Sequence, residues 1–482
     1  VNYAYPAELL KIHAKEIEEP EAYSFSLDVT DSRNLFELLN VKDVRLQNFK
    51  AKGSLDTENN ELDFAVNGPL VQVKDMKFMD VQILANSKGQ RGDILINLDS
   101  TYAFNRGFNP IEIQAKLKKD TASILLSTFQ IQDSIQRFDI LTEVIPHEKG
   151  FEVHLKDEGI RIFGRKWKLN PDNKIIIGKN YHQIEHFVLT DANRFVELYG
   201  IDENGIGLKL REFDIDLVNG LIHYDKMKFT GIGNLNIRVE NIYKKPEIYG
   251  QFIIPDFKIN GDSYGDLEID VTKQDGGYLD GLFSLIKDDQ YIKADGKYNT
   301  DQKTLVSTVK GNKFPLKILE YLLKDGISET QGTIDLDAEI DGPIKSLQMS
   351  GGGIVKGGAV KVNYLGSKFY FDNQRVKLSE NKIDLTGAKI YDENGQEGIV
   401  KGWLYHDAFR NFGVDANISG KDVLILNTTK FDNPIYYGKG KGDVSVDFKG
   451  SFDQVDMTIS ALTKAGTEIS IPIKETRYGA EE

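Results

Sequence analysis

Residues Gln331–Gly353 read QGTIDLDAEIDGPIKSLQMSGGG, and Ile334, Leu336, Ala338 and Ile340 alternate there with Asp335, Asp337, Glu339 and Asp341. A period of two puts four apolar side chains on one face of a strand and four carboxylates on the other. Gly342-Pro343 is expected to stop that strand, because proline has no N–H for a ladder and glycine admits a turn. Leu347 and Met349 resume the alternation, and Gly351–Gly353 are expected to break it again. One face stays wet and the other has to be covered.

The unit recurs. Aligned on glycines expected to open strands, Gly332 begins GTIDLDAEIDGPIKSLQMS and Gly442 begins GDVSVDFKGSFDQVDMTIS. In the second copy Val444, Val446, Phe448, Val455, Met457 and Ile459 fall in matching phase. Gly233 begins GNLNIRVENIYKKPEIYGQF, with Leu235, Ile237 and Val239 alternating, and Gly92 begins the looser GDILINLDS. These intervals exceed a common solenoid repeat, so the repeating element is the strand pair, each strand held mainly by its neighbours.

Composition narrows the function. The 482 residues carry 60 Lys and Arg against 74 Asp and Glu, a net charge of −14. That balance disfavours a nucleic-acid surface, where cationic side chains neutralise phosphates. The 44 glycines and 26 phenylalanines suit strand-rich material, and with no cysteine there is no disulfide framework and no thiolate chemistry. No apolar run approaches the roughly 18 to 20 residues that span a bilayer. The opening VNYAYPAELL has no initiator Met and no charged-then-apolar leader, so an excerpt or processed product is expected.

Three helices are expected. Pro6–Pro20 carries Leu9, Leu10, His13 and Ile17 near one stripe, Asp31–Asn40 has Asp31 as its cap, and Phe314–Gly326 starts at Pro315 and ends at Gly326. Tyr23–Val29, Ile175–Ile177, Phe187–Leu189 and Phe195–Leu198 read as strands. Turns are expected at Gly53, Asn67-Gly68-Pro69, Gly89, Asn109-Pro110 and Gly150. No Gly/Ser-rich or Pro-rich linker separates domains.

Chemical motifs resolve into structural ones. His182 and His186 stand four apart as in a zincin helix, but Gln183 occupies the glutamate position and the surroundings read as strand. Four residues of strand span about 13 Å, too far for one metal. The row from Asp335 to Asp341 reads as a solvated face, since Gly342 comes too late for a calcium loop. Gly351–Gly358, GGGIVKGG, reads as turn glycines, because Lys356 stands where a dinucleotide motif needs glycine. The chain is read as a non-enzyme without cofactor or metal; a parallel β-helix lyase and an extracellular β-repeat adhesin are the readings weighed against it.

Several phrases carry a resemblance. KWKLNPDNKIIIGKNYHQIEHFVLTDANRFVELYG (Lys166–Gly200), GGAVKVNYLGSKFYF (Gly357–Phe371), VLILNTTKFDNPIYYGKGKGDVSVDFKG (Val423–Gly450) and KAGTEISIPI (Lys464–Ile473), with the passage Phe314–Gly342, resemble the TamB family of AsmA-like repeating β-groove proteins. The likeness is best from Trp167 to Pro472, and residues 1–165 match only in style. The resemblance implies a middle-to-late fragment lacking the family's N-terminal anchor and C-terminal domain. It implies an all-β fold: an elongated, curved β-groove of sequentially paired strands, apolar on its concave face, with few short helices. The expected layout is groove repeats with short helical segments at 1–165, groove repeats at 166–313, late groove repeats at 314–474 and a tail at 475–482.

By the same resemblance the chain would lie in the periplasm of a Gram-negative bacterium. It would conduct phospholipid between inner and outer membranes, with a linked role in outer-membrane protein assembly. Its expected partners are phospholipid acyl chains, an outer-membrane barrel of the TamA/BamA class, and the inner membrane through an anchor outside this chain. The alternative is a scaffold that receives outer-membrane protein strands on a sheet edge without moving lipid. Exposing a two-chain lipid with some 30 methylenes to water costs roughly 25 kcal/mol at about 0.8 kcal/mol each, which an apolar strip would remove. At about 4.8 Å per strand, some 25 to 30 strands make a path on the order of 100 Å. Strand phase assigns the lining to Ile334, Leu336, Ala338, Ile340, Val360, Val362, Phe369, Phe371, Val376, Leu378, Ile383 and Leu385, and further to Val414, Ala416, Ile418, Val444, Val446, Phe448, Met457, Ile459, Ile469 and Ile471.

Overall fold

The computed structural model describes residues 20–33, 36, 43–74, 76–103, 106–108, 110–128, 138–157, 160–162, 165–216, 227–273, 277–323, 326–407, 410–452 and 454–472. These residues are almost all β, in long antiparallel ladders. The one helix delimited among them is Ile318–Leu322. None of the helices among the described residues is long and apolar enough to cross a membrane. The chain divides into two compact units, 1–224 with 229–250, and 225–228 with 251–482. This division falls inside the stretch expected as 166–313.

In the first unit a 15-stranded sheet runs from Ala22–Asp31 to Tyr181–Glu185, pairing mostly in chain order. Its register lines up one apolar file: Leu27, Ala51, Val66, Ile83, Ile96, Ile113, Leu126 and Ile140 are successive cross-strand partners. Ala51 and Val66 are buried, whereas Ile83, Ile96, Ile113, Leu126 and Ile140 are only half-buried. The same unit holds a small dry core of Ile160, Trp167, Leu169 and Leu189. Asn173, fully buried, sits beneath it, accepting from the Leu155 N–H and donating to the Leu155 and Asn170 carbonyls.

In the second unit the strands from Asp262–Lys273 to Glu468–Ser470 again pair in chain order. One file runs Ile269, Phe283, Ala294, Val309, Ala338, Gly351. It continues through Leu378, Ile383, Leu404, Val414, Gly450 and Val455. No polar side chain interrupts it. One residue along each strand, on the opposite face, the partners are Lys293, Lys310, Asp337, Gly352, Lys377, Asp384, Trp403, Asp415, Lys449 and Asp456. The alternation at 334–341 therefore extends through the ladder, with Asp337, Glu339 and Asp341 exposed and Asp335 paired to Lys356 at 2.6 Å.

Several expectations are corrected. Gly332 and Gly442 do not open strands; they lie inside Ile327–Pro343 and Tyr437–Ser451. Gly332 has φ +95°, at a register shift between Gln331 and Thr333, a conformation in which an L side chain is strained. Gly351–Gly353 and Gly357-Gly358 are not turn glycines, since the strand Gln348–Val362 runs through all of them. Gly351–Gly353 and Gly358 are points of close approach: a Cβ on Gly352 would lie 2.6 Å from the Val376 carbonyl oxygen, and one on Gly353 2.6 Å from that of Asp335, whereas Gly357 has open space and a φ of +56°. Gly53 and Asn67-Gly68-Pro69 also lie within strands. The ladder tolerates Pro69 because pairing jumps from Lys50↔Asn67 to Gln47↔Leu70, with Asn48 at φ +49°. The strand ending at Pro343, and the strands about Tyr23, Ile175, Phe187 and Phe195, are found as read.

Of the expected helices, Pro6–Pro20 lies outside the described residues, as does most of Asp31–Asn40. The third is shorter than read, because Phe314 and Pro315 end the preceding strand by pairing with Ile334 and Thr333. The helix has no side-chain N-cap, and Leu323, at φ −119°, closes it.

Candidate functional site

The apolar face of the second unit lines a half-open cavity of about 570 Å³, within the range of small-molecule sites. Many of the strand positions chosen by phase are in its wall: Ile334, Leu336, Val360, Val362, Phe369, Phe371, Val376, Leu378, Ile383, Leu385, Val414, Ala416, Ile418 and Phe448 all line it. Ala338 and Ile340 pack beside it with Met349 and Leu378. The other expected residues lie elsewhere. Val444 and Val446 are buried in a closed core with Leu365, Phe369, Val423, Ile425 and Leu426, and Met457 packs against that core. Val446 has no exposed surface at all, so there the strip is roofed. Ile459, Ile469 and Ile471, at the last strands, are 40%, 48% and 70% exposed.

The sequence reading left unassigned several further strand positions of the wall, among them Met349, Val355, Ile390, Val400 and Leu404, and two parts from outside the strands. The first is the insert joining two adjacent strands, whose Leu316, Ile318, Leu319 and Leu323 face the cavity. Its apolar spacing was visible as an amphipathic helix, but nothing local said that it folds back over its own sheet. The second is Phe452, in the turn after Tyr437–Ser451, which meets the insert so closely that a Cβ on Gly326 would overlap its ring. Polar bonds hold the insert from outside. The Tyr321 hydroxyl donates to the Asp262 carboxylate, the Glu320 carboxylate accepts the Thr330 N–H, and Lys317 pairs with Glu320 at 2.7 Å. Burial pushes the neighbouring Tyr264 phenol up to about 12 and raises Tyr321 further, with the Asp262 bond second in effect, so both stay protonated.

Three wall residues carry polar side chains besides the aliphatic and aromatic ones: Thr330, Tyr364 and Gln374. Two are turned to partners. The Tyr364 hydroxyl donates to the Phe452 carbonyl at 3.2 Å, while Gln374 donates to the Asp372 carbonyl at 2.7 Å and accepts the Lys389 N–H at 3.0 Å. The Thr330 hydroxyl is buried and has no partner among the described residues. A chamber of this kind offers dispersion and dehydration to an occupant and almost no hydrogen bonding. It suits hydrocarbon.

His182, weighed as a metal ligand, serves the first unit's packing. Its ring is buried, with Nε2 2.7 Å from the Gly205 carbonyl and Nδ1 2.8 Å from the Tyr243 hydroxyl. A carbonyl only accepts, which puts the proton on Nε2 and makes Nδ1 the acceptor of the tyrosine O–H. Comparison of the chain with protein-family models, with curated proteins and with solved structures finds no match.

Proposed function

We propose that this chain is a lipid-conducting element of a bacterial envelope, carrying acyl chains along the apolar faces of its sheets. The observation that supports it most is the second unit's apolar file, unbroken from Ile269 to Val455, with an apolar chamber of about 570 Å³ on that face. In an ordinary folded core such a volume is filled by side chains, because interiors pack with few voids larger than water. The half-buried file in the first unit has the same chemistry. An acyl chain laid on either face sheds its contact with water at about 0.8 kcal/mol per methylene.

On this reading the carboxylate and lysine rows of the opposite face keep the protein dissolved in the periplasm. Outer-membrane barrels of the TamA/BamA class and an inner-membrane anchor would be its partners, and outer-membrane assembly a linked role. The chain, on this reading, carries its cargo without chemical change. The deciding experiment is solvent extraction of the purified protein with mass spectrometry of what it carries. Phospholipid or fatty acid at near-stoichiometric amount supports the reading. A protein free of lipid that instead retains amphipathic outer-membrane strands would replace it with the scaffold reading.

A further inference from the structure

The loop between the strands Arg410–Thr428 and Tyr437–Ser451 presents two large apolar side chains to solvent: Phe431 is 97% exposed and Ile435 72% exposed. Its root is anchored. Thr428 is buried, and Tyr436 packs against the closed core around Val446. Its backbone donors are satisfied from within. The Phe431 N–H donates to the Thr429 hydroxyl at 3.3 Å, and the Ile435 and Tyr436 N–H groups donate to the Asn433 side-chain oxygen at 2.9 and 3.3 Å. The Asp432 and Asn433 N–H groups both donate to the Thr429 carbonyl at 3.1 Å. Pro434 has no N–H to satisfy. From 431 to 436 the loop therefore needs no water for its donors.

We infer that this tip is a membrane-docking element that sets Phe431 and Ile435 into the interfacial layer of a lipid bilayer. A protein partner would have to supply shaped pockets for two side chains that stand so far into solvent, whereas fluid acyl chains need no fixed shape. Backbone donors that are already bonded lower the cost of moving the tip out of water, where an unpaired N–H is expensive. Lys430 beside Phe431, and Tyr436 and Tyr437 at the root, match the cations and amphipathic aromatics found at headgroup level. Asp432 keeps insertion shallow: its carboxylate is held ionised by the Thr429 hydroxyl and N–H, at 2.6 and 2.7 Å, and stays at the loop's polar side. The inference stands on the loop and not on what the chamber holds.

The test uses phosphatidylethanolamine/phosphatidylglycerol vesicles and phosphatidylcholine vesicles with the whole chain. The double variant Phe431→Ser/Ile435→Ser alters only exposed side chains, so its circular dichroism stays that of the parent. Its partition onto both kinds of vesicle is expected to fall about tenfold or more. A second variant, Phe431→Trp, is expected to shift its emission to the blue on adding vesicles. Parent-like flotation of the double variant overturns the inference, as does an unmoved emission from the Phe431→Trp variant while it floats. So does a parent that binds neither vesicle. Lipid extracted from the chamber should be equal in parent and double variant, so failure here is distinguishable from failure of the lipid-conducting reading.

Discussion

The Tyr364 hydroxyl donates to the Phe452 carbonyl oxygen at 3.2 Å although the two residues lie 88 apart in sequence. One residue on, the Leu365 carbonyl accepts the Asn427 N–H at 2.8 Å, while Phe452 itself donates to the Phe412 carbonyl. The turn at 363–366 thus reaches both ends of the strand Arg410–Thr428. That strand must curl for this to happen, and its curl roofs the late part of the apolar face. Replacing Tyr364 by Phe keeps the ring and removes one bond, so a loss of about 1 kcal/mol is expected in urea unfolding. An unchanged midpoint would mean the curl is held by packing alone.

Gly351 stands opposite Ala338 in the ladder with φ +113°, and a Cβ there would run into the Asp337 carbonyl. Gly351→Ala should therefore lower stability by more than about 1 kcal/mol, from strain and collision together. Gly395, at φ +78° with nothing within 4 Å, separates the two causes. Gly395→Ala meets only the backbone penalty and should lose less. Equal losses would show that the close approach at Gly351 is relieved by a small sheet movement.

These glycines mark where sequence reading stopped. Alternation at Ile334–Asp341 announces a strand and its two faces because side-chain direction follows residue parity. Glycine carries no such parity. The same residue serves a turn, a positive φ inside a strand, or a place where two backbones meet, and Gly332, Gly351 and Gly442 are the latter kinds. Phase likewise names the apolar face of Val446 and of Leu336 equally well. It does not say what lies over each, since that depends on Leu365 and Phe369, far off in sequence, and on the path of the neighbouring strand that brings Val423 over the same core.

Acid should weaken the fold in a defined window. The Lys356 ammonium, at 2.6 Å, and then the Lys313 backbone N–H, at 2.8 Å, hold the Asp335 carboxyl below the ordinary aspartate value of 3.8. Lys464 does the same for Asp443, and Lys368 for Glu329. A carboxyl whose pKa is depressed on folding contributes stability that is present above its unfolded pKa. That contribution disappears as pH falls through the folded value, because the unfolded chain binds the proton first. The unfolding midpoint should thus fall below about pH 4 and be insensitive to these groups at neutral pH. Asp335→Asn should make the acid decline shallower, and the same decline in variant and parent would remove Asp335 from the account.

Leu336 and Val446 share a phase and differ in what covers them, which makes them the sharpest pair for the lipid reading. Leu336 lines the chamber wall, whereas Val446 is wholly buried among packed side chains. Val446→Asp sets a carboxylate in a dry core without a partner, and should destabilise by roughly 3 kcal/mol or more. Leu336→Arg brings a long side chain with a flexible stem into an open volume, so the ladder should survive with a smaller loss. If hydrocarbon occupies the chamber, the Leu336→Arg protein should fold and carry less lipid than its parent. A photo-crosslinker at position 336 should capture lipid, and one at exposed Asp337 on the opposite face should not. A crosslinker at position 446 should capture neighbouring protein only. Lipid captured at 337 as readily as at 336 would show non-specific adhesion. No capture at 336 in a folded protein would mean that the chamber is empty of lipid and the conducting reading is wrong.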